Sequence, residues 1–161
     1  MDKTTRLPIR LAAALIMVLV AAACLGVLPA SAAENLRLRD GVSFSHDLDQ
    51  GFPIMAEKMD DVQIASGKPT LLFFGACGDL NTNRQAKRIV DLYKKYKTEP
   101  VKFIVVDVDK ADSQSLKALI KSYYPGYIPA QVVFDKQGKS AWSHTGEVDA
   151  GIIGTRIDKQ L

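Results

Sequence analysis

This sequence is poor in the residues that usually carry chemistry. Its 161 residues include two cysteines, two histidines and one tryptophan. Cys24 and Cys77 lie too far apart for a Cys-x-x-Cys pair or for a metal-binding cysteine spacing. His46 and His144 are equally isolated, so no metal site is expected and no cofactor is implied. There is no glycine-rich phosphate loop and no nucleophile elbow, which removes the commonest nucleotide-binding and hydrolase signatures. The bases are dispersed, apart from Lys94, Lys95 and Lys97, which read as a solvated helix face. Without a basic stripe, no nucleic-acid partner is expected. With 47% hydrophobic and 24% charged residues, the composition excludes disordered and fibrous classes and fits one compact domain.

What is present begins at the N-terminus. Lys3, Arg6 and Arg10 precede an uncharged apolar stretch from Leu11 to Leu28, and Ala30-Ser31-Ala32 supplies the small residues that a signal peptidase accepts. That order predicts a signal peptide over residues 1–32, with Ala33 as the first mature residue and a periplasmic or secreted location. An uncleaved anchor is the alternative, because the apolar stretch is nearly long enough to span a bilayer. Membrane contact is expected only through this segment. Ala21-Ala22-Ala23-Cys24 also bears a partial likeness to a bacterial lipobox. Removal of residues 1–32 leaves 18 bases against 17 acids and Cys77 as the sole thiol, so no intramolecular disulfide can form in the mature chain.

Along the mature chain, Leu36, Leu38, Val42 and Phe44 alternate with polar residues and suggest a short edge strand or arm. Phe52 to Ser66, with Ile54, Met55, Met59, Val62 and Ile64 among charges, predicts a helix closed by Ser66-Gly67-Lys68-Pro69. Thr70-Leu71-Leu72-Phe73-Phe74 is a continuous apolar run and predicts a strand buried on both faces. Ala86, Ile89, Val90, Tyr93 and Tyr96 then form one helix stripe, with Asn81, Thr82 and Asn83 as cap candidates. Val101 to Val108 predicts a second parallel strand, and Ser113 to Tyr123 a second helix capped by Asp112. Gln131 to Phe134 and Ser140 to His144, separated by Asp135-Lys136-Gln137-Gly138, predict a hairpin. Ile153, Ile157 and Leu161 predict a last helix, which Gly151 and Gly154 weaken.

This element order, the Gly-Lys-Pro-Thr entry to the first strand, Val106-Asp107-Val108-Asp109 at the end of the second, and Ile128-Pro129-Ala130 before the hairpin together resemble the thioredoxin superfamily. The resemblance covers residues 68–161 and implies an α/β, thioredoxin-like three-layer fold with a central mixed sheet flanked by helices. Residues 33–67 are then an N-terminal extension, and residues 1–32 the signal or anchor helix. The Ile-Pro-Ala tripeptide looks like that family's cis-proline loop, which presents backbone to an extended substrate. By residue chemistry alone, Pro129 is a proline at a strand start, where the missing N–H is tolerated.

The departure lies at Phe74-Gly75-Ala76-Cys77-Gly78-Asp79-Leu80-Asn81, where the family's second cysteine is absent. With a one-residue gap, Cys77-Gly78-Asp79-Leu80 matches Cys-Gly-Pro-Cys and Cys77 is the nucleophile. Without a gap, Cys77 falls where the family has Trp, and Gly78 and Asn81 replace both cysteines. Leu72 or Phe73 also stands where the family keeps a buried acid. Two functions remain open. One is monothiol oxidoreductase chemistry at Cys77, forming a mixed disulfide with a small thiol or a partner protein. The other is a non-catalytic module that holds a protein or peptide partner with Gly78, Asp79, Leu80, Ile128 and Pro129, and there Cys77 is a buried structural thiol.

Overall fold

The computed structural model describes residues 33–161. The signal-like segment, its cleavage site and Cys24 lie outside the described residues, none of which forms a helix long and apolar enough to cross a membrane. The elements run β1 (Glu34–Leu38), β2 (Ile54–Glu57), β3 (Thr70–Gly75), α1 (Leu80–Lys95), β4 (Lys102–Asp107), α2 (Gln114–Tyr123), β5 (Ala130–Phe134), β6 (Ser140–Thr145) and α3 (Ala150–Asp158).

The apolar run of β3 is buried along its whole length, with Leu71, Leu72, Phe73 and Phe74 at 0% exposure. Strand alternation sends Leu71 and Phe73 to one face, where they meet Ile89 and Val90 of α1 and Ile153 and Ile157 of α3. Leu72 and Phe74 face the other way and pack with Ile104, Val106 and Leu119 of α2. Three layers follow from this two-sided burial. The main sheet has the order β4-β3-β5-β6, with β4 parallel to β3 and the other pairs antiparallel. This mixed sheet of four strands between helices is the thioredoxin-like arrangement.

Several expectations need correction. No helix forms over Phe52 to Ser66: Ile54–Glu57 is a strand, paired with β1 through Arg37↔Met55 and Leu38↔Ile54. Phe52, Pro53 and Ile54 are all buried where the chain enters this strand, and Lys58 has a φ of 57°, which ends any regular element there. The β1–β2 hairpin contributes Leu36, Phe52 and Ile54 to the core cluster of α1 and α3. The cap of α1 is Asp79, earlier than the Asn81-Thr82-Asn83 group, and the cap of α2 is Ser113, one residue after Asp112. The two glycines of α3 do not prevent it. Asp149 caps the helix through Gly151 N, and a Cβ at Gly154 would stand 3.3 Å from the Tyr96 hydroxyl, which donates to the Gly154 carbonyl at 3.0 Å.

One buried charge ties the segment after β2 to the sheet. Lys102, fully buried at the start of β4, has Asp61 Oδ2 3.0 Å from its Nζ, an ionic contact outside hydrogen-bonding angles. Removing one member leaves the other charge without compensation. Asp61→Asn is therefore expected to lower stability by about 3 kcal/mol in urea unfolding, whereas Lys102→Met combined with Asp61→Leu is expected to restore most of that loss.

Candidate functional site

The end of β3 sets the site. Its last register pair with β4 is Gly75↔Asp107, and its last pair with β5 is Phe74↔Ala130. Asp107 therefore stands on one side of the strand end, and Pro129, which precedes Ala130, on the other. Pro129 is buried, Ile128 is half-buried, and the peptide bond between them is cis. The next residues of the chain, Ala76 to Asp79, turn from the sheet into α1. This turn needs glycine at Gly75, where a Cβ would lie 2.5 Å from the Thr82 methyl, and at Gly78, whose φ is 77°.

Cys77 is half-buried against the core of α1 and donates its Sγ hydrogen to Asp107 Oδ2 at 3.3 Å. Two residues separate it from the first residue of the helix, because Asp79 is the cap. Burial pushes the Cys77 thiol up to about 11, and the hydrogen bond to Asp107 and the charge of that carboxylate push in the same direction. Lys110 opposes this only weakly. The arrangement holds a protonated thiol.

The positive end of α1 is occupied as well. Asp79 accepts from Thr82 N, and Asp47 Oδ1, from a loop far back in the sequence, accepts from Leu80 N at 2.8 Å. That loop is fastened across the helix start by Asn83 Nδ2 donating to Ser43 O at 2.9 Å and Arg84 Nε donating to Phe44 O at 3.2 Å. Two first-turn amides that could stabilise a thiolate are therefore taken by carboxylates of the chain itself.

Cys77, Gly78, Asp79 and Leu80 follow the end of β3 that Ile128 and Pro129 approach from β5, so register places both segments at one end of the sheet. The residues that sequence reasoning missed are Asp107 as the partner of Cys77 and Asp47 as a helix ligand. For Asp107, the strand-end position immediately after the apolar run of β4 was a usable signal. Asp47 lies 33 residues from Leu80 and leaves none. Among the described residues no cluster of three or more histidine, cysteine, aspartate or glutamate side chains is placed to hold a metal.

No family model and no curated protein matches the sequence. Solved structures similar to the chain include thioredoxin-2 of the malaria parasite, at 17% identity and a TM-score of 0.49, covering 57% of this chain and 82% of that one. Mitochondrial thioredoxin 3 from Saccharomyces cerevisiae is similar at 18% identity and a TM-score of 0.47, covering 60% and 82%. A structure bearing on the thiol-resolving mechanism of yeast mitochondrial 1-Cys peroxiredoxin is similar at 17% identity and 0.49, also covering 60% and 82%. Identities this low transfer no activity, and the fold is read from the strand order itself.

The state of Cys77 is measurable. Because folding favours the protonated thiol, its contribution to stability is whole below the ordinary value of 9.0 and is lost as pH rises through about 11. At neutral pH a shift of that size leaves about a hundredfold less thiolate than in an ordinary cysteine. Iodoacetamide labelling is expected to be correspondingly slow, with its midpoint near pH 11. Asp107→Asn is expected to move that midpoint down and speed labelling at pH 7.

Proposed function

We propose that this chain is an exported, non-catalytic thioredoxin-fold module that binds an extended segment of a protein partner at the face formed by Gly78, Asp79, Leu80, Ile128 and Pro129. The observation that carries this reading is the Cys77 to Asp107 hydrogen bond, with its consequence for the thiol. Monothiol exchange needs a thiolate to attack and a leaving thiol to depart. Here the sulfur is held protonated, Leu80 stands where a resolving thiol would be in the gapped alignment, and the helix amides are engaged elsewhere.

The surface at the same end suits a partner. Tyr127, next to Ile128 in the chain, is 73% exposed, and Phe44 and Leu48 of the loop across α1 are 40% and 49% exposed. Exposed aromatics with few rotatable bonds are effective anchors for protein contacts. Export is supported by the basic, apolar and small-residue order of residues 1–32. A redox reading, with a small thiol at Cys77, is the outcome to be distinguished.

Displayed random peptides selected on the purified protein are expected to bind the Cys77→Ser variant within about twofold of the parent. Tyr127→Ala is expected to weaken the same peptides tenfold or more. Insulin reduction with recycling thiol is expected to stay at the uncatalysed rate. Binding that vanishes with Cys77→Ser, or insulin turnover that does, would establish the monothiol reading instead.

A further inference from the structure

A concavity lies between the β1–β2 hairpin and the outer edge of β4, and it shares Asp107 with the site around Cys77. It has a volume of about 390 Å³, within the range of small-molecule sites of roughly 300–1,000 Å³. Its walls are Phe52, Ile54, Met55, Met59, Val105 and Leu116, all apolar. Three charged groups complete it: Arg39, Lys110 and Asp107.

The charges do not cancel. Asp107 Oδ2 already accepts from Cys77 and has Lys110 Nζ at 3.9 Å. Arg39 pairs with no carboxylate among the described residues. Its Nε donates to the Phe52 carbonyl at 3.0 Å and its guanidinium lies over Gly51, where a Cβ would be 3.4 Å from Cζ. The guanidinium is therefore held in place with its remaining N–H groups unspent. One cation is in excess beside an apolar chamber.

The edge of β4 adds donors. Lys102 N and Val108 N donate to Pro69 O and Gly75 O, so the even-numbered residues of β4 face β3. Phe103 and Val105 present their backbone groups the other way, where β4 has no hydrogen-bonded neighbour strand among the described residues. That edge borders the cavity through Val105. Buried backbone donors are seldom left unpaired, and a ligand acceptor would satisfy one.

We propose that this cavity binds a small amphipathic carboxylate, with its apolar body among Phe52, Ile54, Met55 and Met59 and its head group against Arg39 and Lys110. Charge complementarity selects the anion: a neutral alcohol of equal length gains the same apolar contacts but not the ionic ones, and an amine is repelled. The proposal does not rest on the peptide-binding reading.

The test uses the full chain labelled at its methionine methyl groups, with octanoate, octanol and octylamine as probes. Met55 and Met59 line the cavity, whereas Met1 and Met17 lie in the N-terminal segment and report any binding there. Octanoate is expected to shift Met55 and Met59 saturably, at least tenfold more tightly than either other probe. Arg39→Gln is expected to reduce octanoate to the affinity of octanol while leaving octanol unchanged. The proposal is overturned if octanol or octylamine binds as tightly as octanoate, if only Met1 or Met17 responds, or if none shifts. Should Arg39→Gln fail to fold, the three-probe comparison on the parent chain decides alone.

Discussion

The rest of this structure depends on one constraint, the burial of β3 from both sides. A strand with no solvent face must be covered twice. The two-residue alternation of Leu71, Leu72, Phe73 and Phe74 divides the molecule into a layer of α1, α3 and hairpin and a layer built on α2. Each of those side chains contributes roughly 2 kcal/mol of burial free energy, so the strand anchors both cores at once. Its position between β4 and β5 then fixes what stands at its C-terminal end.

The candidate site is a by-product of that register. Asp107 and Pro129 flank the strand end because β4 and β5 pair with β3 there, one parallel and one antiparallel. Placing a carboxylate beside a half-buried thiol changes the thiol's chemistry: it accepts a hydrogen bond from the S–H, and its negative charge disfavours the thiolate. Two further carboxylates, the cap Asp79 and Asp47 from the loop, accept from the first-turn amides of α1. Acids gathered around a helix start satisfy its amides and stabilise the fold, and they make the position unfavourable for a thiolate. The electrostatics at this end of the sheet therefore favour the thiol over the thiolate.

Legibility in the sequence followed the length of the pattern. β3, α1, β4 and β5 each rest on a run or stripe dictated by burial, while the mostly exposed β6 was legible from the turn that precedes it, and each stands close to its expected bounds. The segment from Phe52 to Ser66 was misread because its apolar residues are too few to distinguish a helical spacing from a two-residue spacing, and pairing with β1 decided the matter. The cap of α1 was displaced because Thr82 and Asn83 are used for packing against Gly75 and for holding the Ser43 carbonyl, which leaves Asp79 to cap.

The sequence by itself determined that Cys77 is the one cysteine of residues 33–161, that no second cysteine follows it within a helical turn, and that the element order from residue 68 onward is β-α-β-α-β-β-α around a doubly buried strand. These are properties of composition and short-range periodicity, which need no knowledge of distant partners. Only the tertiary structure decided what the remaining thiol is. Its partner Asp107 lies 30 residues away, and Asp47, which takes the helix amide, lies 33 residues from Leu80. The ionisation of a group is set by the charges and burial around it, and those are assembled by folding.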